Sequence, residues 1–408
     1  MRISKLELVD FRNYERASLE FGEGPQLLVG RNGQGKTNLV EAVGYLATLS
    51  SHRVSSDAAL VRHGAEFAIV RGELRHEQRS MSIDVRVQKS GSNTAKVNGR
   101  TVKARELPRY FTTVLFAPED LSLVRGDPST RRDVLDQLIA TRSPRLATVM
   151  SDYERVLKQR NSLLKSARAT GTRGAELATL EVWDDRLVGL GSQLVAARIQ
   201  LAAELTPYVQ AAYARLVGED HGAGLSMRLS VLAHAGSVIT DEQDEDSHLE
   251  TGGDITLEEI EERFAARLEE LRPRELDRGI SLVGPHRDDA VFWLNGLPAR
   301  VTASHGESWS FALALKLAAA ELVRRESRAG DPVLILDDVF AELDARRRSR
   351  LAEAIGEFEQ VLITAAVLED VPDALRQHAI HIRSGHIVPV PDAEPARGTE
   401  ETSAGDAS

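Results

Sequence analysis

The 408-residue chain contains no cysteine, and this absence excludes several kinds of chemistry. Without thiols the chain forms no disulfide, no thiolate zinc site and no covalent intermediate on cysteine. It also lacks any run of about 18 apolar residues, so the sequence predicts no membrane-spanning helix. The first eight residues alternate like a strand and have no apolar core of the kind found in signal peptides. We therefore expect a cytoplasmic protein with no membrane partner.

The net charge of −11 is unevenly distributed along the chain. Residues 219–262 contain 13 Asp and Glu against one Arg, and residues 389–408 contain five acids against one Arg. The remainder is basic, with ten Lys and Arg in residues 71–109 and eight in residues 141–173. A basic body with acidic appendages is compatible with DNA binding, although either basic stretch alone is as often a solvated surface.

Residues 30–37, Gly-Arg-Asn-Gly-Gln-Gly-Lys-Thr, fit the phosphate-binding loop pattern. An apolar strand precedes the loop and a helical pattern follows it, so the helix N-terminus would face the phosphates. The alternative is an accidental glycine-rich turn. We predict nucleotide binding, with Lys36 on the outer phosphates and the Thr37 hydroxyl on Mg²⁺, by the whole loop: Gly30, Arg31, Asn32, Gly33, Gln34, Gly35, Lys36 and Thr37.

A second apolar strand, at 332–336, ends in two carboxylates. In a phosphate-loop NTPase the first, Asp337, would hold Mg²⁺. The second, Asp338, is placed to orient or deprotonate the attacking water. The alternative is a buried strand that merely ends in a loop. We take Lys36, Asp337 and Asp338 as the candidate catalytic residues.

A Ser/Gly turn at 304–310 opens a helix just before this strand, and such a helix start is itself an anion site. A compact kinase or GTPase has no use for a second turn of this kind. A head that dimerises over its nucleotide does, because each subunit then offers the turn to the nucleotide that the other holds.

The remaining patterns predict a β-rich lobe and a helical hairpin. Strand signals at 67–74, 81–88 and 94–103, with an Asn98-Gly99 turn, predict the lobe. Apolar stripes at 146–164 and 180–201 predict two packed helices. The first helix carries a basic face, predicted to be exposed and able to contact DNA: Arg155, Lys158, Arg160, Lys165 and Arg168. The segment at 284–289, Gly-Pro-His-Arg-Asp-Asp, favours a hydrogen-bonded, ion-paired corner over a metal site.

With the phosphate-binding loop, the stretches at 118–136, 284–289 and 336–344 resemble the RecF family of the structural-maintenance/Rad50-type ATPases. The likeness covers roughly residues 1–388. It implies an α/β fold, an ABC-type P-loop ATPase head with an antiparallel β lobe and an inserted helical-hairpin arm domain. We expect the head to comprise residues 1–115 and 276–388, the arm residues 116–275, and a disordered acidic tail residues 389–408.

The resemblance also implies a function. It implies an ATP-bound homodimer on single-stranded and gapped or junction duplex DNA, which helps load RecA with RecO and RecR during recombinational repair and replication-fork maintenance. Weak, DNA-stimulated hydrolysis would time release from DNA in the nucleoid. ATP and Mg²⁺ are the implied cofactors.

By the same resemblance, Asp337 matches the magnesium acid and Asp338 the catalytic acid. Ser304 and Gly306 match the turn that acts in trans, and residues 342–344 would lie at the dimer interface. Related heads often carry a histidine after the strand that follows the carboxylates, where this chain has Thr364. A transporter nucleotide-binding subunit and a small-molecule phosphotransferase are the competing classes.

Overall fold

The computed structural model of the protein describes residues 1–171, 178–233, 255–327 and 330–388. The loop predicted at 235–256, except its last two residues, and the predicted tail lie outside these ranges. The described strands are β1 (Arg2–Phe11), β2 (Tyr14–Glu20), β3 (Gly24–Val29), β4 (Phe67–His76), β5 (Arg79–Gln88), β6 (Thr94–Val97), β7 (Arg100–Val102), β8 (Thr113–Phe116), β9 (Gly224–Arg228), β10 (Asp289–Leu294), β11 (Leu297–Pro298), β12 (Val333–Asp337), β13 (Gln360–Ala365), β14 (Ala379–Arg383) and β15 (His386–Val388).

The helices are α1 (Lys36–Thr48), α2 (Ser122–Arg125), α3 (Pro128–Arg142), α4 (Pro144–Thr170), α5 (Ala178–Val217), α6 (Leu257–Arg278), α7 (Ala299–Thr302), α8 (His305–Glu326) and α9 (Ala345–Ile355). Among the described residues, no helix combines the length and the apolar character needed to cross a membrane.

The central sheet joins strands from both ends of the chain, in the order β15-β14-β3-β13-β12-β8. β14, β3, β13, β12 and β8 run parallel to one another, and β15 pairs antiparallel with β14 at the edge. Every residue of β12 and β13 is buried, as expected for parallel strands covered on both faces. The carboxyl ends of β3 and β12 therefore meet at one edge, with only β13 between them.

This sheet separates two hydrophobic cores, because alternate strand residues face opposite sides. Val333 and Ile335 of β12 face the core that contains α1 and the antiparallel lobe. Leu334 and Leu336 face the core that contains α8 and the helices of the arm. The edge of the sheet where β3 and β12 end is thus supported by the lobe on one side and by the arm on the other.

The predicted β lobe is confirmed as a six-stranded sheet with the order β2-β1-β4-β5-β6-β7. Asn98 and Gly99 form the predicted turn between β6 and β7, both with positive φ (48° and 76°). Gly72 of β4 lies so close to α1 that a Cβ there would be 2.6 Å from Leu46 Cδ1. The lobe therefore packs directly on the helix that follows the phosphate-binding loop.

The predicted helical hairpin is confirmed, because α4 and α5 pack against each other. A third helix, α6, packs against both of them. One prediction about the hairpin was wrong, because Arg160 is fully buried. Helical spacing places it on the packed stripe with Val156 and Leu164. Its guanidinium donates to three oxygens, Asp184 Oδ1 at 2.6 Å, Glu275 Oε2 at 2.6 Å and Ser281 Oγ at 2.7 Å.

The segment at 284–289 is confirmed as a hydrogen-bonded and ion-paired corner. Arg131 of α3 binds both carboxylate oxygens of Asp289, at 2.7 and 3.0 Å. Ser230 donates to the buried Asp288 from its amide and its hydroxyl, both at 2.8 Å. The Tyr153 hydroxyl lies 2.7 Å from His286 Nδ1. Burial raises the pKa of Asp288 and lowers the pKa of His286 to about 3.

The boundaries proposed for the head and the arm stay a proposal. β8 ends at Phe116 and belongs to the central sheet, while α6 continues to Arg278. β9, which lies inside the proposed arm sequence, was not predicted, and it pairs with β10 in a three-stranded sheet.

We predict that Arg160→Ala lowers the free energy of unfolding by about 3–5 kcal/mol, because Asp184 and Glu275 would keep buried charges without their main partner. Urea unfolding followed by circular dichroism measures the change. Lys158→Ala is the matched control, since Lys158 is exposed on the same helix and should shift stability by less than about 0.5 kcal/mol. Equal, small effects of the two changes would contradict the structural role of Arg160.

Candidate nucleotide-binding site

The phosphate-binding loop follows β3 and is shaped by its glycines. Gly33 and Gly35 have φ values of 78° and 110°, in the left-handed region that favours glycine. A Cβ on Gly30 would be 2.3 Å from the Ile382 carbonyl oxygen, and one on Gly35 would be 2.6 Å from the Tyr14 hydroxyl. The loop is therefore a backbone cradle, packed from behind by two other segments.

Those two segments are supports that the sequence analysis missed. The Tyr14 hydroxyl, at the β1–β2 turn, donates to the Gly35 carbonyl at 3.1 Å. In the β14–β15 turn, Gly385 N donates to the Gln34 carbonyl at 3.0 Å and Ser384 N donates to the Gln34 side chain. Gln34 thus serves the loop as an anchor to a turn 350 positions away in the sequence.

Lys36, Thr37 and Asp337 meet at the edge of the central sheet. The Thr37 hydroxyl donates to Asp337 Oδ1 at 3.1 Å, although the two residues are 300 positions apart. Lys36 is only 4% exposed, and its Nζ lies 3.4 Å from the Arg31 carbonyl oxygen. Burial lowers the pKa of Lys36, against the opposing effect of the two nearby carboxylates. The structure therefore brings both halves of the predicted site into direct contact.

Thr364, at the end of β13, joins the two carboxylate residues. Its hydroxyl donates to Asp337 Oδ1 at 2.5 Å and accepts from the Asp338 amide at 2.9 Å. Burial is the largest effect on Asp337 and raises its pKa, while the hydrogen bonds from Thr364 and Thr37 act in the opposite direction. This threonine stands where the resemblance led us to look for a histidine, and it orients the acids instead.

Asp338 has a strained backbone and an unsatisfied side chain. Its φ of 55° is unusual for a residue other than glycine. Its Oδ1 is buried and makes no hydrogen bond within the described part of the chain. Strain and unpaired polar atoms concentrate at functional sites. Asp338 is therefore placed as an acid with free hydrogen-bonding capacity beside Asp337.

These residues fit a magnesium ion and a phosphate chain. Mg²⁺ takes oxygen ligands and usually keeps several waters, and Thr37 with Asp337 supplies two oxygen groups. Within the described ranges, no cluster of three or more His, Asp and Glu side chains could hold a metal by itself. The remaining ligands would have to come from phosphate and water, which suits Mg²⁺ bound together with a nucleotide.

The turn at 304–310 lies at the exposed N-terminus of α8. Ser304 and Glu307 form a reciprocal cap, in which Ser304 N donates to Glu307 Oε2 at 2.7 Å and Glu307 N donates to Ser304 Oγ at 3.3 Å. Hydrogen bonds to its carboxylate from the Ser304 side chain, and next from the Ser304 amide, lower the pKa of Glu307. A Cβ on Gly306 would be 2.7 Å from Arg347 Nη1, so this glycine lets Arg347 of α9 approach the turn.

One further residue of the turn and one of the predicted interface make contacts within this chain. Trp309 is buried and packs edge-on against Phe116 of β8, with ring centroids 5.2 Å apart. Asp344 caps α9 by accepting from Arg347 N at 2.9 Å. A role of residues 342–344 between two copies of the chain stays a prediction.

These features define an ABC-type ATPase head of the SMC kind, with an antiparallel lobe and an inserted helical arm. The family described as RecF/RecN/SMC N terminal domain matches residues 2–386.

Comparison with known proteins shows which family of such ATPase heads the chain belongs to. The chain is 57% identical over 407 residues to the DNA replication and repair protein RecF of Clavibacter sepedonicus, covering 100% of this chain and 99% of that protein. It is similar to solved structures of the recombination mediator protein RecF-ATP (TM-score 0.80, 30% identity) and RecF-ATPrS (TM-score 0.81, 29% identity) in the RecFOR pathway. Both comparisons cover 95% of this chain, and 96% and 97% of those chains respectively. The chain belongs to the RecF family.

We predict that Gly35→Ala abolishes measurable ATP binding, because the added methyl group would overlap the Tyr14 hydroxyl that supports the loop. Gly33→Ala is the matched control. Its φ is also positive, but nothing lies within 4 Å of the added Cβ, so only backbone strain of about 1–2 kcal/mol applies. Titration with a fluorescent ATP analogue measures the ATP affinity of both variants. Equal losses of affinity would contradict the crowding of Gly35 as the cause.

Proposed function

We propose that this protein is an ATP-controlled switch that acts on DNA in replication and repair, the processes for which its RecF relatives are named. The observation that carries the proposal is the contact of Thr37 with Asp337, with the unpaired carboxylate oxygen of Asp338 beside it. A phosphate cradle, a metal acid and a second acid together make a site for nucleotide hydrolysis.

Thr37 and Asp337 would hold Mg²⁺, which when bound would supply positive charge to offset the charge that develops on the phosphates. The glycine cradle at 30–35 holds the phosphate chain through its backbone amides, and Lys36 reaches the outer phosphates. Thr37 and Asp337 keep their positions through their mutual hydrogen bond and through Thr364. Asp338 orients or deprotonates the attacking water through its unpaired oxygen. Hydrolysis by this site is proposed to be slow.

We propose that the active form is a homodimer with two ATP molecules between the heads. Ser304 and Gly306 lie on the exposed start of α8, where they could reach a nucleotide held by a second copy. The carboxylate of Glu307 is held at the helix start by hydrogen bonds from Ser304, and its negative charge opposes an approaching γ-phosphate, an effect that Arg347 partly offsets. The N-terminal end of α8 is the element proposed to meet that phosphate.

For the DNA surface, the arm is favoured over the β lobe. On the lobe, Arg71 is paired with Glu7 and Asp84, and Arg86 lies 3.7 Å over the Phe67 ring. On α4, four exposed cations share one face because they are spaced by three, seven and three residues: Arg155, Lys158, Lys165 and Arg168. Of these, Arg155 is ion-paired with Asp152 at 3.1 Å. Arg160, which the sequence analysis included in this face, is buried and is therefore not part of the proposed DNA surface.

Gapped or junction duplex and single-stranded DNA are the proposed substrates. RecO and RecR are the proposed partners, and RecA is the indirect one. The similar solved structures are of RecF as a recombination mediator in the RecFOR pathway, which supports RecO and RecR. A transporter subunit or a phosphotransferase would need neither the arm nor its basic face, and membership of the RecF family argues against both.

We predict that Lys158→Glu with Lys165→Glu weakens binding to gapped duplex DNA and lowers the salt slope by about 1–2. ATP affinity and DNA-independent hydrolysis should stay at the wild-type level, while stimulation by DNA is lost. Fluorescence anisotropy over a salt series and phosphate release measure these quantities. Lys96→Glu with Arg100→Glu, on exposed positions of the lobe, is the matched control.

Loss of DNA affinity in the lobe variant but not in the arm variant would place the DNA surface on the lobe. A wild-type protein that binds neither ATP nor DNA would contradict the proposed function itself.

A further inference from the structure

The segment that follows α1 is fastened to the first turns of that helix. The Ser51 hydroxyl donates to Glu41 Oε1 at 2.6 Å and accepts from the Arg53 amide at 3.0 Å. Arg53 Nη1 donates to Asn38 Oδ1 at 2.9 Å. His52 is therefore held between two anchored neighbours, close to the helix start that carries Lys36 and Thr37.

His52 lines a cavity of about 350 Å³ together with Glu41 of α1 and Glu119, which follows β8. Its Nε2 is buried and has no hydrogen-bond partner among the described residues. Burial is the main influence on this ring and lowers its pKa, while the nearby carboxylates of Glu41, Glu119 and Asp337 act against the shift. The ring is therefore held neutral although acids surround it.

Two of these acids are already engaged by other groups. Arg12 binds both oxygens of Glu41, at 2.8 and 2.5 Å, and Ser51 binds one of them. Asp337 accepts from Thr37 and Thr364. A buried polar atom without a partner costs about 1–3 kcal/mol, so a ring nitrogen that has no partner among the described residues is free to accept a hydrogen bond from a bound water or ligand.

We propose that His52 is a positioning residue of the metal site, whose Nε2 accepts a hydrogen bond from a water molecule bound to the metal held by Asp337 and Thr37. This inference rests on the proposed function, since it requires a metal–nucleotide complex in the site. Mg²⁺ keeps several waters in its shell, and a neutral imidazole nitrogen is an acceptor for them. Groups that bind the waters of a metal typically contribute 10–100-fold to metal affinity or activity.

The test compares His52→Leu, which keeps the apolar bulk, with His52→Gln, whose amide oxygen can still accept. Mn²⁺ serves as the probe, and its affinity for the ATP complex is measured by electron paramagnetic resonance. His52→Leu should weaken Mn²⁺ binding by about 10–100-fold. His52→Gln should stay within about threefold of wild type. ATP affinity in EDTA and the melting temperature should be unchanged in both, and in the control His378→Leu, which alters an exposed histidine.

Wild-type Mn²⁺ affinity in His52→Leu would overturn the proposal. Equal losses in the Leu and Gln variants, accompanied by weaker metal-free ATP binding or a lower melting temperature, would also overturn it and assign His52 to packing. If wild-type protein binds no ATP, or binds ATP without Mn²⁺, the proposed function fails instead.

Discussion

The hydrogen bond between Thr37 and Asp337 is the contact on which the candidate nucleotide site depends. It joins two residues 300 positions apart, and it forms only because β3 and β12 lie in one parallel sheet with β13 between them. Strands β4 to β7 of the lobe, the arm and most of the described helices lie between β3 and β12 in the sequence. A site assembled in this way is sensitive to the packing of both cores, since each covers one face of the sheet that carries it.

Buried charge pairs hold the helices of the proposed arm together and join α3 to β10. Arg131 binds Asp289, and Arg160 binds Asp184 and Glu275, with all these side chains largely removed from water. Such pairs add little to stability over apolar residues of the same volume, but they are costly to break singly. The first pair fixes α3 against β10, and the pairs of Arg160 fix α4 against α5 and α6.

Local signals in the sequence were enough to predict most of the strands, the hairpin turn, the two arm helices and the two halves of the candidate nucleotide site, but not β9, β14 or β15. Turns, strands and helices are determined largely by residues close together in the sequence, such as glycines, apolar runs and apolar residues at helical spacing. The misplacement of Arg160 shows the limit, because its buried partners come from other helices and charged residues are usually exposed. The supports at Tyr14 and Ser384 were missed for the same reason, since only the folded sheet brings those turns to the loop. His52 gives no periodic or motif signal at all.

Completion of the nucleotide site by a second copy of the chain is tested most directly by the solution mass of Asp338→Asn protein with ATP and Mg²⁺. The substitution should slow hydrolysis while ATP stays bound, so the mass should double, and gapped DNA should favour the doubled form. Adding Ser304→Arg should return the protein to monomer with ATP still bound, because the turn would no longer reach the partner's nucleotide. An Asp338→Asn protein that binds ATP and stays monomeric in every condition would contradict a site shared between two copies.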